Sequence, residues 1–405
     1  MAVQTAGKVP AIRFIGFNGD WDGKELGQLF PITSAARVHK SEWTKSGVPF
    51  FRSSDVVSYF KGENNTKAFI SVELYEELST KVGRIKKGDI LVTGGGSIGI
   101  PFFVNNDNPL YFKDADLLWF KIREAADSRY LYTFLCSWSF RQYLKSISHI
   151  GTIAHYTVEQ AKGTPLALPR DQREQTRIGE YFRELDSLIW LHQRKHDKLM
   201  ALKKAMLQQM FPQPGATAPE IRFKGFSGDW VEHEFKQIAS RTSQPAYEAH
   251  LPRIEYEDIL SGEGCLNKDV FKKASTKAGI NFDRGDVLFG KLRPYLKNWW
   301  LAEFTGIAVG DFWVLRSAEA TSSFIYYLIQ TEAFERVANQ SSGSKMPRSD
   351  WKLVSSTVFR IPMQSEEQIQ IGTYFRSLDV LISQHATQLQ KLQQIKSACL
   401  ERMFV

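Results

Sequence analysis

The segment from Arg173 to Phe211 reads REQTRIGEYFRELDSLIWLHQRKHDKLMALKKAMLQQMF, and the chain contains it twice. The second copy, from Glu366 to Phe404, reads EEQIQIGTYFRSLDVLISQHATQLQKLQQIKSACLERMF. The two copies are offset by 193 residues (366 minus 173) and agree at about half of their positions. A repeat of this length indicates a duplicated unit, so the fold is expected to contain the same long element twice.

Apolar residues in both copies recur at the spacing of an amphipathic helix, which predicts a seam of heptad positions a and d. One such helix cannot bury its seam alone, so we expect the two copies to pair as antiparallel coiled-coil helices. The predicted a positions of the seam are Ile178, Leu185, His192, Leu199, Met206, Ile371, Leu378, His385, Leu392 and Cys399. The predicted d positions are Tyr181, Leu188, Lys195, Leu202, Gln209, Tyr374, Leu381, Gln388, Ile395 and Arg402.

Each helix carries a polar layer near its middle, His192 with Lys195 and His385 with Gln388. In an antiparallel pair these layers are expected to meet, and a polar a position can fix the register of two helices. The alternative is that these side chains simply extend to solvent. No Cys, Asp or Glu stands beside the histidines at liganding spacing, so no metal or catalytic role is predicted for them.

A shorter duplicated motif precedes each long helix. It reads PAIRFIGFNGDW from Pro10 to Trp21 and PEIRFKGFSGDW from Pro219 to Trp230, with nine of twelve positions identical. The order of motif, variable segment and helix therefore occurs twice. This order predicts a pseudo-two-fold repeat of globular domains and spacer helices, with the boundaries 1–172 (domain), 173–212 (central helix), 213–365 (domain) and 366–405 (C-terminal helix).

Both variable segments mix strand-like and helical patterns, which predicts an α+β fold. In the first segment, strands are predicted at residues 90–92, 102–104 and 117–120, and one helix is predicted from Arg129 to Leu144. The counterpart of this helix in the second segment is predicted from Ser323 to Gln340.

Composition bounds the class of protein. The chain has 405 residues, 43% of them hydrophobic and 24% charged, which is typical of a soluble protein. The sequence has no run long enough to span a membrane. Three widely separated cysteines predict reduced thiols and a cytoplasmic location. The formal charge of +8 suits a polyanionic partner such as nucleic acid.

Basic side chains cluster beside aromatic ones in both variable segments, and this combination suits phosphate contact and base stacking. A solvated hairpin face is the alternative for any single cluster. The candidate DNA-binding residues are Lys81, Arg84, Lys86, Lys87, Lys291, Arg293, Lys297, Lys345 and Arg348.

Two stretches resemble motifs of enzymes. Gly94, Gly96 and Gly99 have the G-x-G-x-x-G spacing of a nucleotide-binding loop, which requires a helix after the last glycine. A proline and a β-like run follow instead, and GDVLFGKLRPYL at Gly285 lacks the triplet. We therefore expect a glycine-rich hairpin in which the backbone can approach DNA closely.

Asn108-Pro109-Leu110-Tyr111 approximates the tetrapeptide N-P-P-Y of amino-group DNA methyltransferases. Its third residue departs from that motif, and no methyl-donor loop accompanies it. An Asn-Pro turn is the expected structure.

The duplicated order, the helix starts REQ…RIGEYFRELDSLI and EEQ…QIGTYFRSLDVLI, and the preceding PLALP and FRIP resemble the specificity subunit of type I restriction–modification systems. The resemblance covers essentially the whole chain. It implies two target-recognition domains that each bind one half of a split DNA site, and spacer helices that carry methylation subunits.

Several partners follow from this resemblance. It implies double-stranded DNA, methylation (modification) subunits and restriction subunits as partners, and no membrane. It implies no catalysis and no cofactor in this chain, because the methyl donor, ATP and magnesium would belong to the partner subunits. Two other hypotheses remain open at this point: an amino-methyltransferase acting through residues 94–99 and 108–111, and a coiled-coil adaptor without a DNA role.

Overall fold

The structure is a computed structural model that describes residues 9–123, 125–147, 155–248, 250–272, 276–340 and 346–405. The chain divides into two compact units. Unit 1 comprises residues up to Leu191 together with Gln388–Val405, and unit 2 comprises His192–Thr387. Each unit therefore contains one α+β module and a part of each of two long helices.

The module of unit 1 contains ten strands and six helices in its described part. The strands are β1 Asp22–Glu25, β2 Ile32–Thr33, β3 Trp43–Thr44, β4 Val48–Phe51, β5 Ala68–Ile70, β6 Ile90–Thr93, β7 Pro101–Phe103, β8 Tyr111–Phe112, β9 Leu117–Phe120 and β10 Pro165–Leu168. The helices are α1 Leu26–Leu29, α2 Ser53–Lys61, α3 Val72–Val82, α4 Ser128–Cys136, α5 Trp138–Ile147 and α6 Val158–Lys162. The first long helix, α7, follows as Gln172–Gln209.

The module of unit 2 repeats this order with fewer helices. Its strands are β11 Val231–Glu234, β12 Ala239–Thr242, β13 Pro245–Ala246, β14 Arg253–Ile254, β15 Gly279–Phe282, β16 Val287–Gly290, β17 Trp299–Leu301, β18 Gly306–Ala308, β19 Phe312–Ser317 and β20 Val358–Ile361. Its helices are α8 Phe235–Ile238, α9 Ser322–Leu328, α10 Glu332–Ala338 and α11 Trp351–Ser356, and the second long helix is α12 Ser365–Arg402. None of the described helices is long and apolar enough to cross a membrane.

One sheet and one ribbon have the same plan in both modules. The sheet order is β2-β9-β6-β7 in unit 1 and β12-β19-β16-β17 in unit 2, and the ribbons are β1-β10 and β11-β20. An aspartate directly before β6 and another directly before β16 explain part of this likeness. Asp89 accepts a hydrogen bond from the Lys86 amide, as Asp286 does from the Asp283 amide, and both carboxylates are buried. Each carboxylate thereby fixes the turn into a buried strand.

The second sheet differs between the modules. Its order is β3-β5-β4-β8 in unit 1 and β13-β15-β18-β14 in unit 2, so the last two strands exchange places. The predicted shared framework with divergent segments is therefore visible in the strand order itself.

The predicted strands at residues 90–92, 102–104 and 117–120 are confirmed as β6, β7 and β9. The prediction of one helix from Arg129 to Leu144 is wrong, because Ser137 is extended between α4 and α5 and its Oγ accepts the Phe140 amide. The counterpart helix is likewise divided at Thr331, whose side chain caps α10 by accepting the Phe334 amide. In both places a Ser or Thr N-cap ends one helix and starts the next.

The duplicated motif at residues 10–21 and 219–230, called here the R-F motif, contacts the start of the long helix in each unit. The Arg13 guanidinium donates to both carboxylate oxygens of Glu174, at 2.6 and 2.8 Å, and Arg222 does the same to Glu367 at 2.6 and 2.7 Å. Both glutamates are buried. A planar guanidinium matches the two oxygens of a carboxylate, which explains why this arginine stands in both copies of the motif.

The Met-Phe end of each long helix completes a core. In unit 1, Phe404 packs against Tyr130 and Phe182, with ring centroids 5.6 and 6.1 Å apart. In unit 2, Phe211 packs against Phe324 and Phe375 at 5.4 and 6.2 Å. Within each unit, the end of one long helix therefore lies beside the first half of the other.

Candidate nucleic-acid interface

A basic hairpin joins β16 to β17 in unit 2. Its loop is anchored to the segment before α11 by two backbone hydrogen bonds: the Arg293 amide donates to Pro347 at 2.7 Å, and the Ser349 amide donates to Lys291 at 2.8 Å. The Tyr256 hydroxyl accepts the Leu292 amide at 3.1 Å. These bonds bring together the predicted residues of two separate sequence clusters.

The hairpin holds two residues in the left-handed region. Arg293 has a φ of 49° and Lys297 a φ of 57°. This conformation costs roughly 1–2 kcal/mol for a residue with a Cβ atom, and such residues often stand at functional sites. Between them, Pro294 is buried while the side chains of Arg293 and Tyr295 are exposed.

Most of the predicted cations of unit 2 form ion pairs. Lys291 and Arg348 both approach Asp311, at 3.5 and 3.0 Å, and Lys297 pairs with Glu335. Arg293 has no hydrogen-bond or ion-pair partner for its side chain among the described residues. Lys345 lies outside the described residues. Arg293 is therefore the cation of this hairpin with its charge available to a phosphate.

The predicted cations of unit 1 lie at the end of α3 and in the turn that follows it. Lys81 pairs with Glu77 at 2.6 Å, and Arg84 pairs with Glu76. Lys86 and Lys87 are exposed just before β6, and their side chains have no ion pair within the described chain. The sequence did not predict the carboxylates that pair with the cations of unit 2, because Asp311 and Glu335 are distant from them in the chain.

The glycine loop of unit 1 lies between β6 and β7, which pair antiparallel. The expected hairpin is confirmed, and no helix follows Gly99. A Cβ atom at Gly99 would lie 2.2 Å from Leu144, and one at Gly94 would lie 2.8 Å from the Tyr156 carbonyl oxygen. Packing inside the module therefore requires these two glycines, whereas Gly96 meets nothing within 4 Å.

Tyr111 of the Asn-Pro-Leu-Tyr stretch belongs to the core of unit 1. Its hydroxyl accepts the Ala36 amide at 3.0 Å and donates to the Ala36 carbonyl oxygen at 3.2 Å. Burial raises the pKa of Tyr111 to about 12. This side chain stabilises a sheet and does not line an open methyl-transfer site.

The positions of the predicted seam of the long helices differ in burial. At the a positions, Ile178, Leu185, Ile371, Leu378 and Cys399 are buried, and His192, Leu199, Met206, His385 and Leu392 are partly buried. The d positions were wrong in seven places. Lys195, Gln388 and Arg402 are exposed, and the apolar residues Leu188, Leu202, Leu381 and Ile395 are 40–44% exposed. Position e is buried instead at Phe182 and Phe375, because the first half of each helix also packs against its own module.

The two histidines of the polar layers meet within unit 2. The Nδ1 atoms of His192 and His385 are 2.9 Å apart, as expected from the sequence. Partial burial and the neighbouring His192, Lys195 and His196 lower the pKa of His385. No group of three or more metal-binding side chains is placed to hold an ion in the part of the chain that the structure describes.

Comparison with protein families adds an independent finding. Residues 18–201 match the family model of the type I restriction modification DNA specificity domain. A putative type I restriction enzyme specificity subunit of Haemophilus influenzae is 29% identical over 168 residues, which is 40% of this chain and 40% of that relative. The EcoDI type I restriction enzyme specificity subunit of Escherichia coli is 20% identical over an alignment of 439 positions, covering 99% of this chain and 89% of that relative.

Solved structures share the fold over almost the whole chain. The S subunit of a type I restriction–modification system from M. genitalium has a TM-score of 0.59 at 16% identity, covering 98% of this chain and 99% of that one. A chain from a study of complex assembly and conformational transition of the type I R-M system has a TM-score of 0.51 at 15% identity, covering 95% and 97%. The likeness therefore includes both modules and both long helices.

Proposed function

This chain belongs to the DNA specificity subunits of type I restriction–modification systems, and from this premise we propose that it binds a split, asymmetric double-stranded DNA site, one half with each module. The single observation that carries the proposal is the duplication of one module with two different second sheets, β3-β5-β4-β8 and β13-β15-β18-β14. One framework with two dissimilar surfaces suits the recognition of two different half-sites.

Contact with the DNA backbone is assigned to the basic segments described above. Lys86 and Lys87 serve in unit 1, and Arg293 serves in unit 2 with Lys291, Lys297 and Arg348 around it. Neutralising phosphates with such side chains releases counterions and makes affinity depend on salt. Lys81, Arg84 and Lys345 complete the proposed set.

The long helices are proposed to act as an antiparallel coiled-coil spacer. Each contains 38 residues, or about 57 Å at 1.5 Å per residue. Half-sites that follow one face of DNA repeat every ~34 Å. A rigid helical element of this length is suited to fix the distance between two half-sites, with unread base pairs between them.

Partner subunits supply the chemistry in this proposal. The methylation subunits bind the methyl donor, and the restriction subunits use ATP and magnesium, while this chain contributes DNA recognition in the cytoplasm without a cofactor of its own. The burial of the Tyr111 hydroxyl against backbone supports the absence of a methyl-transfer site in unit 1.

The test is a module exchange followed by genome-wide methylation mapping. Residues 22–165 are replaced by the equivalent segment of another member of the family, and the chain is expressed with its methylation subunits in a host without methylation. We expect one half of the methylated site to change while the other half and the spacing stay the same. A matched exchange within residues 231–361 should change the other half. Unchanged sites after both exchanges would refute the proposal.

A further inference from the structure

The tip of the basic hairpin between β16 and β17 is a 3-10 turn at Pro294–Leu296 that its own backbone closes. The Leu296 amide donates to the Arg293 carbonyl oxygen at 2.8 Å. The Lys297 amide donates to the Pro294 carbonyl oxygen at 2.9 Å. In the part of the chain that the structure describes, Arg293 and Lys297 are two of the three residues other than glycine with a positive φ. Backbone strain of this kind persists only where surrounding contacts impose it.

A separate segment of unit 2 supplies such contacts. The Gly262 amide donates to the Lys297 carbonyl oxygen at 3.0 Å, just after the turn. The Ser261 hydroxyl donates to the Leu296 carbonyl oxygen. On the other side of the turn, the Arg293 amide is held by the segment before α11, as described above. The tip is therefore already ordered, and a ligand that binds it does not incur the entropic cost of fixing a loop.

The turn presents one aromatic side chain to solvent. Tyr295 is 54% exposed, and its ring has no hydrogen bond, ion pair or ring contact with any described residue. By contrast, Phe271 is 67% exposed but packs against Phe304, with ring centroids 4.7 Å apart. The packing of the described residues therefore does not explain why an aromatic residue stands at the tip of the hairpin.

Positive charge is concentrated around this turn. Four cations and two carboxylates, with a formal net charge of +2, form the group: Lys291, Arg293, Lys297, Arg348, Asp311 and Glu335. Ion pairs hold three of the cations in place, while the side chain of Arg293 is exposed. An aromatic ring beside fixed cations combines a face on which a base can stack with attraction for phosphate.

The equivalent turn of unit 1 has a different composition. It joins β6 to β7, the strands that correspond to β16 and β17 in the shared sheet order. Residues 94–100, which form this turn, include no charged and no aromatic residue. The common sheet is thus built without an aromatic tip. Tyr295 therefore belongs to what unit 2 binds and is not a requirement of the fold.

We propose that Tyr295 is a specificity-determining residue of unit 2, whose ring enters a base step of the DNA half-site and stacks on a base. This inference rests on the proposed function and names the residue and the feature of the DNA that it recognises. An inserted side chain must unstack neighbouring bases, and pyrimidine–purine steps unstack most easily. Tyr295 therefore selects a pyrimidine–purine step in the half-site bound by unit 2.

The test uses the complex of the full chain with its methylation subunits, and DNA duplexes that contain the mapped methylation site. Tyr295→Ala should weaken binding about 10-fold, the loss of one base–aromatic stack. Tyr295→Phe keeps the ring and should bind as tightly as the unaltered chain. Tyr247→Ala is the matched control, because it removes another exposed tyrosine of the same module, outside the basic hairpin. Its affinity should not change.

The salt dependence of binding separates stacking from a structural role of the side chain. A tyrosine neutralises no phosphate, so Tyr295→Ala should leave the slope of log affinity against log salt unchanged. If the substitution disordered the hairpin instead, the contact of Arg293 with phosphate would be lost as well, and the slope would fall.

Aminopurine, a fluorescent analogue of adenine, locates the base step. It is placed in turn at each purine position of the half-site of unit 2 except the methylated base, which methyltransferases take out of the stack themselves. Fluorescence should rise at one position when the unaltered complex binds, because the base loses its stacked neighbour. Tyr295→Ala should abolish this rise.

Four results would overturn the proposal. They are an unchanged affinity of Tyr295→Ala, an equal loss in Tyr247→Ala, a loss accompanied by a reduced salt slope, and a fluorescence rise that persists without the tyrosine ring. Failure of the proposed function gives a different result, since the unaltered complex would then bind all DNA sequences equally.

Discussion

Lys203 on α7 places its Nζ atom 2.7 Å from a carboxylate oxygen of Asp379 on α12. The Tyr327 hydroxyl donates a hydrogen bond of 2.9 Å to the other oxygen. The repeat generates the same pair in unit 1 between Lys396 and Asp186, at 2.5 Å. The two pairs differ in burial, because the side chains of Lys203 and Asp379 are 9% and 20% exposed, against 28% and 42% in unit 1.

This difference predicts unequal effects of one substitution at two equivalent positions. Lys203→Met should lower the free energy of unfolding by about 2 kcal/mol, because Asp379 is left largely buried without its cation. Lys396→Met should cost less than about 1 kcal/mol, since water screens the more exposed pair. Denaturant unfolding of both variants measures the two losses. Equal losses would show that burial does not determine how much each ion pair contributes to the free energy of unfolding.

The duplication made this symmetry predictable in part. The sequence predicts two similar modules and two long helices, and the a positions Ile178 and Ile371 are buried as expected. It does not show that Lys203 is buried, because a lysine at heptad position e usually lies at the surface. Only the packing of α9 against the helix places Tyr327 beside the ion pair.

The cations of the candidate DNA site could be predicted from the sequence, but their ion-pair partners and relative positions could not. Lys291 and Arg348 stand 57 positions apart in the numbering, and their shared partner Asp311 follows no local pattern. The divided helix at Ser137 was within reach of the sequence, since a Ser three residues before a continuing apolar pattern is an N-cap signal. The spacing of apolar residues carries no information about ion pairs between residues that are far apart in the chain.

The ion pair between Arg13 and the buried Glu174 gives a second stability prediction. Arg13→Ala should lower the free energy of unfolding of unit 1 by about 3 kcal/mol, because Glu174 is left buried and unpaired. Arg13→Lys should recover only part of this, since an ammonium cannot donate to both oxygens in parallel. The exposed pair of Arg170 and Asp22 provides the control, and Arg170→Ala should cost less than about 0.5 kcal/mol. Equal costs at Arg13 and Arg170 would contradict the argument.

The facing histidines predict a pH dependence of stability. The pKa of His385 is lower in the folded chain than its ordinary value of 6.5, so the folded state binds fewer protons than the unfolded state near that pH. Its contribution to stability is present above pH 6.5 and is lost as the pH falls from this value through the lower pKa of the folded state. The melting temperature should therefore fall as the pH is lowered from 7.5 to 5.5. This interval covers ~1 pH unit on either side of the ordinary pKa of histidine.

The double variant His192→Leu/His385→Leu provides the control for this prediction. It removes the facing imidazole pair and leaves Lys195 and His196, which also act on the pKa of His385, in place. Its melting temperature should fall less over the same pH interval. If the double variant and the unaltered chain respond equally, the pair does not contribute to the pH dependence.

The last prediction concerns the exposed arginine of the basic hairpin. Arg293→Asn removes the charge while asparagine tolerates the left-handed backbone, so the loop conformation should persist. Loss of one phosphate contact should weaken DNA binding by a similar factor for all sequences and reduce the slope of log affinity against log salt by about 1. Lys391→Asn on α12 should leave the slope unchanged. Fluorescence anisotropy from 50 to 200 mM salt measures both variants. A changed preference among DNA sequences with an unchanged salt slope would instead assign Arg293 to base recognition.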